Sequence, residues 1–456
     1  MTSSRYVLDA DEVEISEYYG VISSEWHRFY KGKLGVTLKV PIRSFEDFAV
    51  WYTPGVAQPC KEIARDPEEI FEYTNVGNSV AIVTDGSRVL GLGNIGRAGL
   101  PVMEGKALLF KYLGDVDAYP ICLSTQDPDE IVQAVEWISP SFGGINLEDI
   151  DAPKSLRVFE CLTKKLAIPV FYDDYQGTSI VVLAGLLNAL KLVEKRLDQI
   201  RVAVVGAGSA AFGSTRLMIE AGVKAQSIIM VDSKGTIYEG RGDLDRYKAE
   251  MAKVTNRQGV RGGIQEAMMG ADVVVALSRP GPGVITEEMV SRMADRAIVF
   301  ALANPVPEIL PQTAKKAGAK IVATGRSDFP NQINNSLGFP AIFRGLLDVR
   351  ARGINTGMML TAAQEISRLA EEQGLREDHI MPTMMDPNLY PRVAAAIGKA
   401  AVDSGMARVR LSYESLRDSA EQRISKYQRS LRLLESEGFL PPPSQVQGLE
   451  SSRRVA

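Results

Sequence analysis

Four acids fall in two adjacent pairs, Glu148-Asp149 in GGINLEDID and Asp173-Asp174 in IPVFYDD, each closing a short apolar run. Such runs read as parallel strands buried on both faces, and their C-terminal ends form the edge where open sheets bind ligands. Carboxylates from those ends, with no histidine among them, suit a hard divalent ion such as Mg²⁺ or Mn²⁺ that keeps positions open for substrate. Acidic helix caps following strands give the same pattern, and the residues alone leave both readings open.

A second constellation lies further on, in RVAVVGAGSAAFG and IIMVD. Val202 to Val205 is β-branched without alternation, as in a strand buried on both faces. Gly206, Gly208 and Ala211 then stand where a turn tightens, where backbone lies against a pyrophosphate, and where a helix packs closely on its sheet. Phosphate would sit at the N-terminus of that helix, on its unpaired N–H groups. Asp232 closes the next run, where a carboxylate can accept hydrogen bonds from the ribose hydroxyls of NAD. Lys234 stands close enough in sequence to meet a 2′-phosphate instead.

Other reactive types are ambiguous by themselves. Tyr52 precedes the Pro54-Gly55 turn and reads as a packed aromatic, or as an acid if a cation lies beside it. Lys106 follows Gly105 and is expected to begin an apolar helical segment, pointing into a cleft or snorkelling to solvent. LGLGNIG (Leu90 to Gly96) repeats glycine spacing without a following βαβ unit, which suggests a close backbone approach to a ligand. Asn304, before Pro305, could meet a nicotinamide; Asn334 and Asn335 read as loop asparagines and turn formers.

These residues need a scaffold. At 456 residues, two or three domains are expected. The apolar fraction of 45% and charged fraction of 24% are those of a globular protein. A net charge of −4 gives no reason to expect nucleic acid or membrane partners. Two histidines, His27 and His379, nearly exclude a histidine-based metal site or triad, and three scattered cysteines form no metal cluster or disulfide framework. No signal peptide or membrane span is expected, so the setting is cytoplasmic.

The pattern of elements is α/β. An N-terminal helical arm (1–35) carries aromatic residues suited to packing on another domain or subunit. A substrate and metal α/β domain (36–194) follows, with strand-like runs expected at Val80 to Val83 and Val89 to Leu92. A Rossmann-type NAD(P)-binding domain (195–356) comes next, then C-terminal helices packing on the catalytic domain (357–440) and a Pro- and Ser-rich flexible tail (441–456).

Taken together, YTPGVAQPC, LGLGNIG with VMEGKALLFK, INLEDI, FYDDYQGTS, the Rossmann turn, ALANP and NQINNSLGFP resemble, in order, the motifs of malic enzymes, and most closely the short bacterial and archaeal form. The resemblance implies oxidative decarboxylation of (S)-malate to pyruvate with reduction of NAD or NADP, dependent on Mn²⁺ or Mg²⁺, in a homodimer paired through its N-terminal region. It implies Glu148, Asp149 and Asp174 as metal ligands with Asp173 orienting them, Lys106 as base and Tyr52 as acid. Malate would be held by Arg88, Asn304, Asn334 and Asn335. The dinucleotide would lie on Gly206, Gly208, Ser209, Ala210, Ala211 and Asp232, with Thr178 and Asn304. Asp232 favours NAD. Ala341 departs from the glycine common in relatives.

Overall fold

The structure, a computed structural model, describes residues 10–440. The tail expected at 441–456, and residues 1–9 of the arm, lie outside the described residues.

Two sheets organise the chain. The first has four parallel strands, β1 (Ser79–Thr84), β2 (Asp117–Cys122), β3 (Gly144–Leu147) and β4 (Val170–Tyr172), in the order β2-β1-β3-β4. The second has six, β5 (Val202–Val205), β6 (Ile228–Asp232), β7 (Gly235–Thr236), β8 (Val273–Ala276), β9 (Ile298–Ala301) and β10 (Ile321–Thr324), in the order β10-β9-β8-β5-β6-β7. Only β7 runs antiparallel in this sheet. Strands β1, β3, β4, β5, β8, β9 and β10 are buried along their whole length, which is why they read as continuous apolar runs.

Helix Thr178–Leu192 joins the sheets and is buried along most of its length, between helices Ser209–Ala221 and Thr356–Glu372. Helices Thr356–Glu372, Leu389–Asp403 and Tyr413–Ser436 pack in succession and close on helices Phe339–Asp348 and Leu100–Gly114. Phe110, Phe339 and Phe343 interlock there, with ring centroids 4.6 and 5.3 Å from Phe110. Among the described residues no helix is long and apolar enough to cross a membrane.

Two expectations are corrected. Val89 to Leu92 is not a strand: Leu90–Leu92 is a single 3₁₀ turn, followed by Gly93 at φ 75°. Lys106 does not begin its helix; the helix opens at Leu100 with Pro101 in its first turn, so Lys106 is held mid-helix, where its direction is set by packing.

Candidate active site

Glu148 and Asp149 follow β3, and Asp173 and Asp174 follow β4. Asp149 takes a left-handed backbone at φ 52°, which turns the chain sharply after the strand. Its amide donates to Asp174 Oδ2 at 3.0 Å, and its carbonyl accepts from the Arg88 amide at 3.1 Å. One carboxylate oxygen from each of Glu148, Asp149 and Asp174 lies within 4.8 Å of the others. Burial, then the charges of Asp174 and Glu148, pushes Asp149 up to about 9; burial and Glu148 push Asp174 up to about 7. Buried Glu148 and Asp149 with half-buried Asp174, oxygens converging and the two aspartates resisting ionisation, are the donor set a hard divalent cation would stabilise, so the residues present fit such an ion.

Lys106 completes this centre. Its Nζ donates to Glu148 Oε2 at 2.6 Å and also contacts Asp173 Oδ2. Beneath it lies the Phe339 ring, 4.3 Å from Nζ to centroid. Burial opposes the ammonium, but Asp173 and Glu148 outweigh it and the net shift is upward. Asn335 donates to Asp173 Oδ2, and Asn146, fully buried on β3, donates to Glu148 Oε2 at 3.0 Å. The turn after β4 needs Gly177, because a Cβ there would stand 1.8 Å from Asp173 Oδ1. That oxygen has no hydrogen-bond partner among the described residues.

The second sheet presents its own C-terminal edge to this centre. Gly206 has φ 124°, and a Cβ on it would stand 2.4 Å from the Leu277 carbonyl oxygen. Gly208 caps helix Ser209–Ala221; Ala211 is fully buried and Ala210 half-buried. A Cβ on Gly208 would stand 3.2 Å from Arg88 Nη1, so the arginine after β1 reaches the glycine-rich turn after β5. Gly91 packs in the same junction, where a Cβ would stand 3.1 Å from Pro305 Cδ and 3.5 Å from the Asn304 carbonyl oxygen. The second glycine-rich turn thus lets protein approach protein. Asn304 lies over Gly325 at the end of β10, and half-buried Thr178 opens the helix joining the sheets.

Asp232 closes β6 as expected, and its carboxylate is already engaged. Oδ1 accepts from the Lys234 amide at 2.9 Å, and Oδ2 accepts from Arg241 at 2.8 Å and Lys248 at 3.1 Å. Burial would raise its pKa, but these donors, Arg241 foremost, outweigh it and hold the group ionised. Lys234 Nζ lies 2.9 Å from Asp243.

Other residues fall elsewhere. Asn334 is occupied as a cap, its Oδ1 accepting from the Ser336 amide at 2.9 Å and its Nδ2 donating to the Gly325 carbonyl at 3.2 Å. Tyr52 is 72% exposed at the end of helix Phe45–Trp51, and its phenol has no side-chain hydrogen bond among the described residues. Sequence reasoning missed Asn146, Phe339 and Tyr172 as parts of the site. A polar residue inside the apolar run of INLEDI was the available signal for Asn146; the two aromatics gave none.

A Rossmann sheet whose pyrophosphate turn meets an arginine, beside a buried lysine and three carboxylates, defines a dinucleotide-dependent α/β oxidoreductase. The family description "Malic enzyme, N-terminal domain" matches residues 31–163, and "Malic enzyme, NAD binding domain" matches residues 175–402. The chain is 48% identical to the bifunctional malic/malolactic enzyme of Bacillus subtilis, covering 87% of this chain and 96% of that one. It is 47% identical to the NAD-dependent malic enzyme of Geobacillus stearothermophilus, covering 83% and 78% respectively. The crystal structure of Entamoeba histolytica malic enzyme superposes with a TM-score of 0.92 at 42% identity, covering 97% of this chain and 93% of that one. The chain belongs to the malic enzyme family.

Proposed function

We propose that this protein oxidises and decarboxylates (S)-malate to pyruvate and CO₂ with reduction of NAD(P), and that the residues around Lys106 carry the chemistry. The supporting observation is the juxtaposition of Lys106, Glu148, Asp149, Asp173 and Asp174 with Arg88, which bridges to the dinucleotide turn.

A Mn²⁺ or Mg²⁺ ion held by Glu148, Asp149 and Asp174 would supply Lewis acidity at the substrate's C2 oxygen, and the dinucleotide would accept the hydride. Arg88, Asn304 and Asn335 orient malate, with Asn334 holding the loop. Lys106 passes its proton to Asp173, which it contacts, and as the free amine takes the C2 hydroxyl proton while the C2 hydrogen leaves with its electron pair. In the resulting oxaloacetate the C3–C4 bond breaks, CO₂ departs, and the electron pair passes to the C2 oxygen, where the Lys106 ammonium offsets the charge. Tyr52 then protonates C3 of enolpyruvate.

The NAD form is the reading favoured by Asp232. Asp232 Oδ1 accepts from the Lys234 amide and keeps a lone pair for a ribose hydroxyl, and Arg241 has all its nitrogens committed to Asp232, Asp243 and the Gly235 and Thr236 carbonyls, leaving none for a 2′-phosphate. The working unit is a homodimer. The face running from Tyr19 to Val56 exposes Trp26, Phe29, Val36, Leu38, Phe45, Phe48 and Trp51, more apolar surface than an isolated chain ordinarily leaves uncovered. Free cysteines Cys60, Cys122 and Cys161 fit a cytoplasmic setting, and the breaks near residues 35, 194, 356 and 440 serve as domain limits.

The test is reduced-nicotinamide absorbance with (S)-malate and Mn²⁺, run with NAD and with NADP, repeated with EDTA, and closed by pyruvate assay. Metal-dependent reduction matched by pyruvate is expected. Malate consumption giving lactate without net reduction would support a malolactic reading, which the bifunctional B. subtilis relative keeps in play.

A further inference from the structure

Between the two sheets runs a short chain of hydroxyls that the mechanism does not use. Tyr172, the last residue of β4, is 1% exposed, and its Oη lies 3.1 Å from the Ile150 carbonyl oxygen and 2.8 Å from Ser209 Oγ. Ser209 Oγ lies in turn 3.3 Å from Ser155 Oγ. A carbonyl can only accept, so the single phenol hydrogen goes to Ile150. Tyr172 then accepts from Ser209, and Ser209 from Ser155. The result is a one-way line of donors ending on the loop that carries Asp149.

Both ends matter. Ile150 adjoins Asp149, and this loop is anchored residue by residue: the Arg88 amide donates to the Asp149 carbonyl at 3.1 Å, Tyr172 donates to Ile150, and the Asp151 amide donates to Ser87 Oγ at 2.9 Å. Ser209, at the other end, is the first residue of the helix following Gly208, where a pyrophosphate would draw on the N-terminal N–H groups. Its hydroxyl is buried and committed to Tyr172, so it is not available to the ligand. The helix also packs closely on the turn after β4, since a Cβ on Gly213 would stand 2.2 Å from the Tyr175 carbonyl oxygen.

We propose that Tyr172 is a positioning residue that couples occupancy of the dinucleotide turn to the geometry of the carboxylate cluster, through Ser209 on one side and Ile150 on the other. This rests on the functional reading above for the identity of the two ligands. A hydroxyl line in a dry junction transmits small displacements because each bond fixes the orientation of the next. Ligands at its two ends then alter each other's affinity by the same factor.

The test measures binding, not turnover. In the full-length protein, the Mn²⁺ dissociation constant is taken from the free-ion paramagnetic resonance signal with and without NAD, and the NAD constant from fluorescence with and without Mn²⁺ plus oxalate. Wild type is expected to show reciprocal tightening of about fivefold or more. Tyr172→Phe keeps the ring and removes the hydroxyl; it should bring that factor close to one while each ligand alone still binds. Ser209→Ala should likewise bring the factor close to one, whatever it does to dinucleotide affinity alone, and the double variant should lose no more coupling than either single one. Unchanged coupling in both single variants, or no coupling in wild type that binds both ligands, overturns the proposal. Wild type that binds neither Mn²⁺ nor dinucleotide overturns the functional reading itself.

Discussion

Lys106 and Tyr52, the two residues assigned to move protons, stand at opposite extremes of burial. Lys106 is 7% exposed and enclosed by Glu148, Asp173 and Phe339, whereas Tyr52 is 72% exposed on a segment that buries almost nothing. Helices Phe45–Trp51 and Ala57–Arg65 contain no buried residue, while Val36 and Phe45 are 91% and 88% exposed. The proposed base is thus part of a folded core, and the proposed acid is not. A core position is defined by many contacts within one chain; a position on an uncovered arm is defined only when something covers it. On the proposed reading, the single chain carries a preformed centre for metal, malate and proton abstraction, and leaves the final protonation to a surface that a second copy would cover.

That contrast can be tested most severely at Lys106. Lys106→Ala is expected to lower malate turnover by about 10³-fold. It also leaves Asp173 and Glu148 without their cation, and a broken buried pair costs about 3–5 kcal/mol in denaturant unfolding. Tyr52→Phe should cost about 100-fold in turnover, in the steps after hydride transfer. Its stability should stay within about 0.5 kcal/mol of wild type, since an exposed phenol without partners contributes little. A deuterium isotope effect showing hydride transfer alone limiting in Tyr52→Phe would break the division of labour between the two residues.

The exposed N-terminal face is probed more gently by Phe48→Ser with Trp51→Ser. Sedimentation should shift from dimer to monomer, with the turnover loss reversed by raising protein concentration; a variant that stays dimeric would remove the N-terminal face as the contact. Mixing Tyr52→Phe with Lys106→Ala chains then separates two arrangements. Regained activity means the phenol crosses to the partner's site, and continued inactivity means that each chain serves itself. The smallest effect is expected at Asn335. Asn335→Ala removes one donor from buried Asp173, a loss of about 1–3 kcal/mol in stability with a modest rise in the malate KM.

Much of this site could be read without coordinates, because strand ends are local facts. The β-branched run before Gly206, the acids after β3 and β4, and the Asp closing β6 all follow from short-range patterning, and their edge is the ligand edge of any open parallel sheet. Where local reasoning failed, a distant contact had decided the matter. Val89 to Leu92 has strand composition, but its backbone turns where Gly91 packs against Pro305 and Asn304, over two hundred positions away in sequence. Asn334 and Asn335 are neighbours of one type, yet one caps a turn and the other reaches Asp173.

By itself, then, the amino-acid sequence determined the two-sheet α/β plan, the dinucleotide turn, the acid pairs and the family, since each depends on backbone preference or on motif order along the chain. Tertiary structure alone decided which carboxylate meets Lys106, that Tyr172 spans the junction, that Asp232 is clamped by Arg241, and that Tyr52 stands apart. The physical reason is direction. At the end of β4 the chain enters a single wide helical turn, Asp173–Gly177, in which adjacent side chains diverge, sending Asp173 to the lysine and Asp174 toward Asp149. Adjacent residues of the same type acquire different roles only when packing has fixed where each one points.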